Sequence, residues 1–399
     1  MLIGIVGKPS VGKSTFFRSS TLADAQIANY PFTTIKPNEA IGFVSIECAD
    51  KFFNKQCNPR TGFCKDHNRF VPVQLMDVAG LVPGAHEGLG MGNQFLDDLR
   101  QADVLVHVID ISGSTNEKGE SVEPLSYDPA NDVKFLEVEL DMWYLGILKK
   151  GWIKFARTVI QEKQEIHIAL AKQLSGLKVD DIMVEDCMKK LNLDHEKPTS
   201  WTDQNLNQLA RELRRITKPM VVACNKIDVP GAEKNFNRLK ELFPDHIFTI
   251  SSAESELALR EADKAGLIEY VPGKNNFSIP TPDKLNEKQL AALNFIKENI
   301  LQKYQSTGIQ EVLNNAVFKK LEMIAIFPGG ASKLEDKEGN TLPDCFLLKK
   351  DSTALDFAYK LHTDLGKNFI RAIDVKTKKT VGKEYLLTHC DVIEIITGR

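Results

Sequence analysis

Gly7-Lys8-Pro9-Ser10-Val11-Gly12-Lys13-Ser14-Thr15 carries a glycine, four further residues, and then Gly-Lys-Ser. This is the spacing of a phosphate loop. Its glycines let the backbone curl until successive N–H groups face an anion at the positive end of a helix. Lys13 adds a mobile cation, and the Ser14 hydroxyl can ligate Mg²⁺. A turn that only joined a strand to a helix would have no use for Lys-Ser at that spacing. Downstream, Asp77-Val78-Ala79-Gly80 is a D-x-x-G pattern. Asp77 can hold Mg²⁺ through a water, and the Gly80 N–H can sense a γ-phosphate. Asn225-Lys226-Ile227-Asp228 is N-K-x-D. Its carboxylate can accept from both N1–H and the exocyclic amine of guanine, a donor pair that adenine lacks on that edge. Asn225 and the stem of Lys226 would then fix the loop and cover the base. In Ser251-Ser252-Ala253-Glu254, the Ala253 N–H is expected to meet the guanine O6.

A nucleotide switch also needs a hydroxyl from a segment that closes over Mg²⁺ and the γ-phosphate. Thr34 is the first choice and Thr33 the second, within Asn29-Tyr30-Pro31-Phe32-Thr33-Thr34. The Gly-rich stretch after Gly80 reads as a loop built to move, and His86 or Glu87 within it is a candidate for placing water. The candidate site is therefore Lys13, Thr34, Gly80 and His86 for catalysis and Ser14, Thr34 and Asp77 for metal. The nucleotide itself falls to Gly7 through Thr15 together with Asn225, Lys226, Asp228, Ser252, Ala253 and Glu254.

Buried strands must deliver these loops. Leu2–Val6, Phe70–Met76, Asp103–Asp110, Pro219–Cys224 and Ile247–Ile250 are apolar, β-rich runs, and the motifs follow their C-terminal ends. His107 lies inside one of them and reads as a hydrogen-bonded core residue. The segment between the first helix and Phe70 shows little periodicity. From Asn131 to about Thr217 apolar residues recur at helical spacing, with breaks at Gly151, Gly176, Pro198 and Thr202-Asp203 that suggest four helices. After a loop-rich passage from Gly266 to Pro282, Leu285–Lys320 is again helical, interrupted near Gly308. The last stretch alternates strands with one helix, the pattern of a small α+β domain.

The 399 residues imply two or three domains. With 51 basic and 54 acidic residues the chain is no general nucleic-acid coat, so any RNA contact must be local, as at Lys376, Lys378 and Lys379. No membrane span and no secretory signal is expected, and the protein reads as cytoplasmic and monomeric. Seven scattered cysteines fit no disulfide framework. Cys48, Cys57, Cys64 and His67 match no compact zinc ribbon, and the expectation is reduced thiols in a surface excursion rather than a metal site.

The ordered set GKPSVGKST, NYPFTT, DVAGLVPGAHEG, NKID and SSAE resembles the translation-factor-related GTPases, and within them the Obg-like family. DVAGLVPGAHEGLGMGNQFLDDLRQAD is similar to the second switch of the YchF-type branch and its archaeal relatives. FPGG, LPDCFLLKKDSTALDFAYKLHTDLG and DVIEI resemble a TGS domain, a ubiquitin-like β-grasp module. The fold implied is α/β: a Ras-like P-loop NTPase core with an α-helical insertion and a C-terminal β-grasp domain of α+β class. Its expected divisions are 1–130 and 219–280 for the core, 131–218 for the insertion, 281–320 for a helical connector and 321–399 for TGS. The resemblance further implies GTP and GDP as ligands, Mg²⁺, and a ribosome or RNA as partner.

Three features bear on function. YchF-type proteins that accept ATP have a fourth motif ending in Glu, whereas Asp228 is intact here, which favours GTP. Ser10 stands where relatives that use a monovalent cation carry Asn, which leaves K⁺ use open. Leu81 occupies the place of the water-orienting Gln of Ras-like enzymes, so slow intrinsic hydrolysis is expected. The alternatives are a nucleotide-gated scaffold with negligible hydrolysis and a dual ATP/GTP-binding stress-related regulator.

Overall fold

The computed structural model describes residues 1–21, 38–78 and 98–398. Thr33, Thr34, Gly80, Leu81, His86 and Glu87 lie outside the described residues. The chain forms two compact units, Met1–Phe17 with Leu75–Glu254, and Arg18–Gln74 with Ser255–Arg399.

The first unit is built on a parallel sheet of β1 (Leu2–Val6), β5 (Val104–Asp110), β6 (Met220–Asn225) and β7 (Phe248–Ile250), joined beside β1 by the last three residues of β4 (Asn68–Asp77). β1 and β5 are buried at every position, as their predominantly apolar runs require of strands covered on both faces. The register pairs Val6 with His107, Asp110 with Asn225 and Cys224 with Ile250. The chain therefore leaves these strands on one edge, at Gly7, Ile111, Lys226 and Ser251, the edge at which open parallel sheets bind ligands.

Between β5 and β6 the chain forms five α-helices rather than the expected four: α2 (Ala130–Lys149), α3 (Trp152–Gln161), α4 (Ile166–Leu174), α5 (Asp181–Lys190) and α6 (Asp203–Thr217), following α1 (Lys13–Thr21). The break missed in the sequence is Glu162–Glu165, which holds no Gly or Pro and turns through Lys163 at φ +54°. Conversely, Pro198 and Thr202 belong to a single break, where Thr202 caps α6 in a reciprocal box with Asn205. Trp143, Tyr144, Leu148, Trp152 and Leu209 share one core with Leu2, Val6 and Met76 of the sheet. The aromatic stripe is core.

His107 departs from expectation, because its buried Nδ1 has no hydrogen-bond partner. Burial pushes the imidazole down to about 3 from its ordinary 6.5. The folded state holds it neutral while an unfolded chain would protonate it, so this group leaves stability unchanged above pH 6.5 and lowers it as pH falls from 6.5 toward 3. The slope is at most about 1.4 kcal/mol per pH unit. His107→Phe is expected to flatten this acid limb, and urea midpoints at neutral pH and at about pH 5 check it.

In the second unit, β2 (Glu39–Glu47) and β3 (Phe63–Lys65) occupy the segment of little periodicity. β3 and β4 form a tight hairpin through Asp66 and His67, both at positive φ. Phe63 stacks on Phe70 at 4.3 Å, so β3 is held by aromatic packing that its three residues could not announce. The loop-rich passage contains a short hairpin, β8 (Glu269–Tyr270) with β9 (Phe277–Ser278). Two helical stretches follow, from Glu287 to Tyr304 and from Ile309 to Lys320, each with a π-helical segment and separated at Gly308, φ +83°.

Beyond them is a five-stranded sheet of order β11-β10-β14-β12-β13, from β10 (Met323–Pro328), β11 (Phe346–Lys349), β12 (Phe369–Asp374), β13 (Lys379–Val381) and β14 (Val392–Thr397). The central pair β10–β14 is parallel and the others antiparallel. A helix at Ala354–Leu361, capped by Thr353 and Asp356, lays Phe357 into the core with Ile326 and Ile393. This is the β-grasp arrangement, with β13 added to the expected strands. The surface placement expected of these cysteines is corrected here: Cys48 and Cys57 are buried, and their sulfurs lie with Cys64 and Asp50 in one cluster. Among the described residues, no helix is long and apolar enough to cross a membrane.

Candidate functional site

The phosphate loop follows β1 and needs its glycines for two different reasons. A Cβ at Gly7 would sit 2.4 Å from the Val108 carbonyl oxygen, so the strand end passes too close to β5 for any side chain. Gly12 is at φ +88°, and a Cβ there would meet the Asn225 amide at 2.3 Å. Ser10 also takes the left-handed region, at φ +64°. The backbone then enters α1, where the Phe16 N–H donates to the Gly12 carbonyl. The first turn of α1 has no acidic residue, so nothing there opposes an incoming anion.

Lys13 and Ser14 both reach Asp77 at the end of β4. Lys13 Nζ donates to Asp77 Oδ1 at 2.5 Å, and Ser14 Oγ to Oδ2 at 3.3 Å. The hydroxyl and the carboxylate are hard oxygen donors placed side by side, and this donor set suits Mg²⁺. Three sequence-distant candidates, Lys13, Ser14 and Asp77, are thus brought to one point.

The base-recognition motif is fastened to the phosphate loop directly. Asn225 Nδ2 donates to the Val11 carbonyl at 2.8 Å, and Asn225 Oδ1 accepts from the Ala253 N–H at 3.0 Å. The Ala253 N–H, expected to meet a guanine O6, is therefore engaged by Asn225 and acts here as a clamp. Ser252 Oγ donates to Asp228 Oδ1 at 2.7 Å and so orients the carboxylate that would read the base. Lys226, at φ +64°, extends its ammonium to Asp110 Oδ2 at 3.0 Å. Glu254 is the second residue of α7 (Ala253–Lys264), and Thr15 lies within α1; Pro9 is exposed.

Lys8 also differs from expectation. Its side chain is buried, donating to the Thr115 carbonyl at 2.9 Å and pairing with Asp132 of α2, while it lies 3.9 Å from the centre of the Tyr127 ring. Only its backbone remains for phosphate. Burial raises the Asp132 carboxyl above the usual carboxylate range, opposed by the hydrogen bond and charge of Lys8.

Sequence reasoning also missed Asp110, the hub beside Lys226. Although burial alone would raise its carboxyl, hydrogen bonds from Ser112, Lys226 and Ser114 hold it below the ordinary range. A signal existed: Asp110 ends a strand that must neighbour the one ending at Asn225. The same loop turns at Gly119, φ +81°, where a Cβ would stand 2.7 Å from Pro9, so residues 115–120 lie tightly against the phosphate loop.

Residues 2–138 match the family model of a 50S ribosome-binding GTPase, 223–329 that of the G4 motif-containing domain of Obg-like GTPases, and 337–397 that of the TGS domain. An uncharacterised GTP-binding protein of Methanocaldococcus jannaschii is 50% identical over 100% of this chain and 99% of its own. The chain belongs to the Obg-like, YchF-related GTPase family. A GTP-binding protein of Schizosaccharomyces pombe is 36% identical over 89% of this chain and 88% of its own. The crystal structure of a GTP-binding protein from Pyrococcus horikoshii is 38% identical, covers 100% of both chains and superposes with a TM-score of 0.80. A Bacillus subtilis member at 26% identity is named a ribosome-binding ATPase, so the Obg-like family includes proteins named for either nucleotide.

Proposed function

We propose that this Obg-like protein binds GTP in preference to ATP, hydrolyses it slowly by itself, and uses the two nucleotide states as a switch on the ribosome or its RNA. The observation that carries guanine preference is the rigid seat of the fourth motif. Asn225 is bonded at both ends of its amide, and Asp228 is held through Oδ1 by Ser252 with lone pairs left on the carboxylate to accept from a base. A carboxylate kept in place before the base arrives loses little entropy on binding, and it is left unpaired by adenine.

Ser14 and Asp77, with Thr34 from the first switch, would hold Mg²⁺, which supplies charge neutralisation for the phosphates. Lys13 cradles the β- and γ-phosphates, and the N–H groups from Gly7 to Thr15 bind and orient them. Gly80 would sense the γ-phosphate, and His86 or Glu87 would place water. With Leu81 unable to donate to or accept from that water, turnover is expected at roughly 10⁻⁴–10⁻² s⁻¹ without a partner. Single-turnover assays on the purified chain measure it, and fast hydrolysis without a partner, abolished by His86→Ala or Glu87→Ala, would reject slow intrinsic turnover and show that these residues are needed to place the water.

Relatives named ribosome-binding, together with the TGS domain, support the ribosome as the partner. Co-sedimentation with ribosomes should be strong with a non-hydrolysable GTP analogue and weak with GDP; equal pelleting in both states would reject the switch. Lys376 and Lys378 lie in the turn between β12 and β13, and Lys379 opens β13. Reversing the three charges to Glu is expected to lower the slope of log affinity against log salt by about 2 to 3 if each meets a phosphate.

A further inference from the structure

Cys48, Cys57 and Cys64 follow one another at intervals that match no recognisable metal spacing, yet the fold gathers them. The sulfurs and an oxygen of Asp50 all lie within 4.8 Å of one another. Cys48 Sγ and Cys57 Sγ are 3.5 Å apart, and Cys64 Sγ is 3.9 Å from Asp50 Oδ2. A tetrahedral ion with Zn–S bonds of about 2.3 Å sets its sulfur ligands about 3.8 Å apart, whereas a disulfide would bring them to about 2.05 Å. We propose that Cys48, Asp50, Cys57 and Cys64 form a structural zinc site, with the Asp50 carboxylate as the fourth ligand, that fastens the excursion between β2 and β4 to the TGS segment around Leu342.

The surroundings are those of a closed metal site. Asp50 is fully buried, and its second oxygen accepts from His67 Nδ1 at 2.9 Å, the kind of outer partner that orients a ligand. The Cys57 N–H donates to Asp50 Oδ2 at 2.9 Å, fixing two ligands relative to each other. Three thiolates and a carboxylate around a divalent ion carry net negative charge, and a cation is in place. Arg69, fully buried, brings Nη1 to 3.7 Å from Cys57 Sγ.

Arg69 also carries the consequence. It donates to the carbonyls of Leu342 at 3.0 Å and Pro343 at 2.8 Å, while the Asn58 and Arg60 N–H groups donate to those of Thr341 and Pro343. The excursion is short and poor in apolar residues, with a three-residue strand as its only regular β element, so a metal crosslink is what keeps it rigid enough to grip that segment.

The test uses the full chain. Purified under reducing conditions without chelator, it should contain about one zinc per chain by elemental analysis. Zinc exchanged for Co²⁺ should give the intense visible bands of tetrahedral thiolate coordination. Cys57→Ser should lower the zinc content at least tenfold, and Cys187→Ser, a buried cysteine outside the cluster, should retain it. Fluorescent GDP binding monitors whether each variant keeps a folded nucleotide unit. Chelation of the wild type, which needs no variant, should open the stretch 335–344 to protease. A reduced, folded wild type that takes up neither zinc nor Co²⁺, or a Cys48–Cys57 disulfide in peptide mapping, would overturn the proposal. So would equal zinc loss in Cys187→Ser and Cys57→Ser.

Discussion

Asp228→Asn is expected to weaken GTP binding by roughly 10³-fold and to shift preference toward xanthosine triphosphate. An asparagine offers one acceptor and one donor where guanine presents two donors, so one pair becomes a clash of donors in a site where unmade bonds cost several kcal/mol in total. Xanthine, with an oxygen in place of the exocyclic amine, restores the match. Because Ser252 Oγ holds Asp228 Oδ1 at 2.7 Å, Ser252→Ala should act in the same direction and more weakly, by about tenfold, corresponding to one hydrogen bond. Equilibrium titration of both variants with fluorescent GTP, ATP and xanthosine triphosphate measures the effect. Equal affinity of the wild type for ATP and GTP would reject guanine reading by this carboxylate.

The second large effect should fall on stability. Lys8 and Asp132 form an ion pair whose side chains are 4% and 5% exposed, with the Thr115 carbonyl and the Tyr127 hydroxyl completing it. Asp132→Ala strands an ammonium in the interior, which costs about 3–5 kcal/mol. The pair itself is worth much less, because two desolvated charges gain little over a well-packed apolar contact. The double variant Lys8→Met with Asp132→Leu should therefore recover most of the loss. Urea unfolding compares the variants, and an Asp132→Ala midpoint within error of wild type would dismiss a buried, charged pair. The pair also ties the phosphate loop to α2, so Asp132→Ala should weaken nucleotide binding even where the protein remains folded.

The cysteine cluster illustrates how far the sequence reading reached. Spacing was the wrong criterion there, since Cys48, Cys57 and Cys64 are brought together by a turn at Ala49–Phe53 and a hairpin whose positive-φ residues are Asp66 and His67, not glycines. β3 was missed for a similar reason, being a three-residue strand stabilised by the ring of Phe70. The extra helix break at Lys163 carried no Gly or Pro to mark it.

What the sequence determined by itself was everything that a contiguous stretch can encode. A phosphate loop is a local object: Gly7 and Gly12 permit its curl, Lys13 and Ser14 follow within the next turn, and the strand before it is buried because Leu2–Val6 has no polar side chain to solvate. The same holds for Asn225–Asp228 after its strand, and for the strand–helix pattern that marked the last domain. The tertiary structure alone decided the partners across long separations. Asn225 meets Val11, Lys8 meets Asp132, Lys226 meets Asp110, and Arg69 meets Leu342 and Pro343. None of these pairs has a local signature, because each forms only after parallel strands align their ends or a loop is folded back. A buried charge or amide then takes whichever partner that alignment presents, since leaving it unpaired would cost more than the fold can bear.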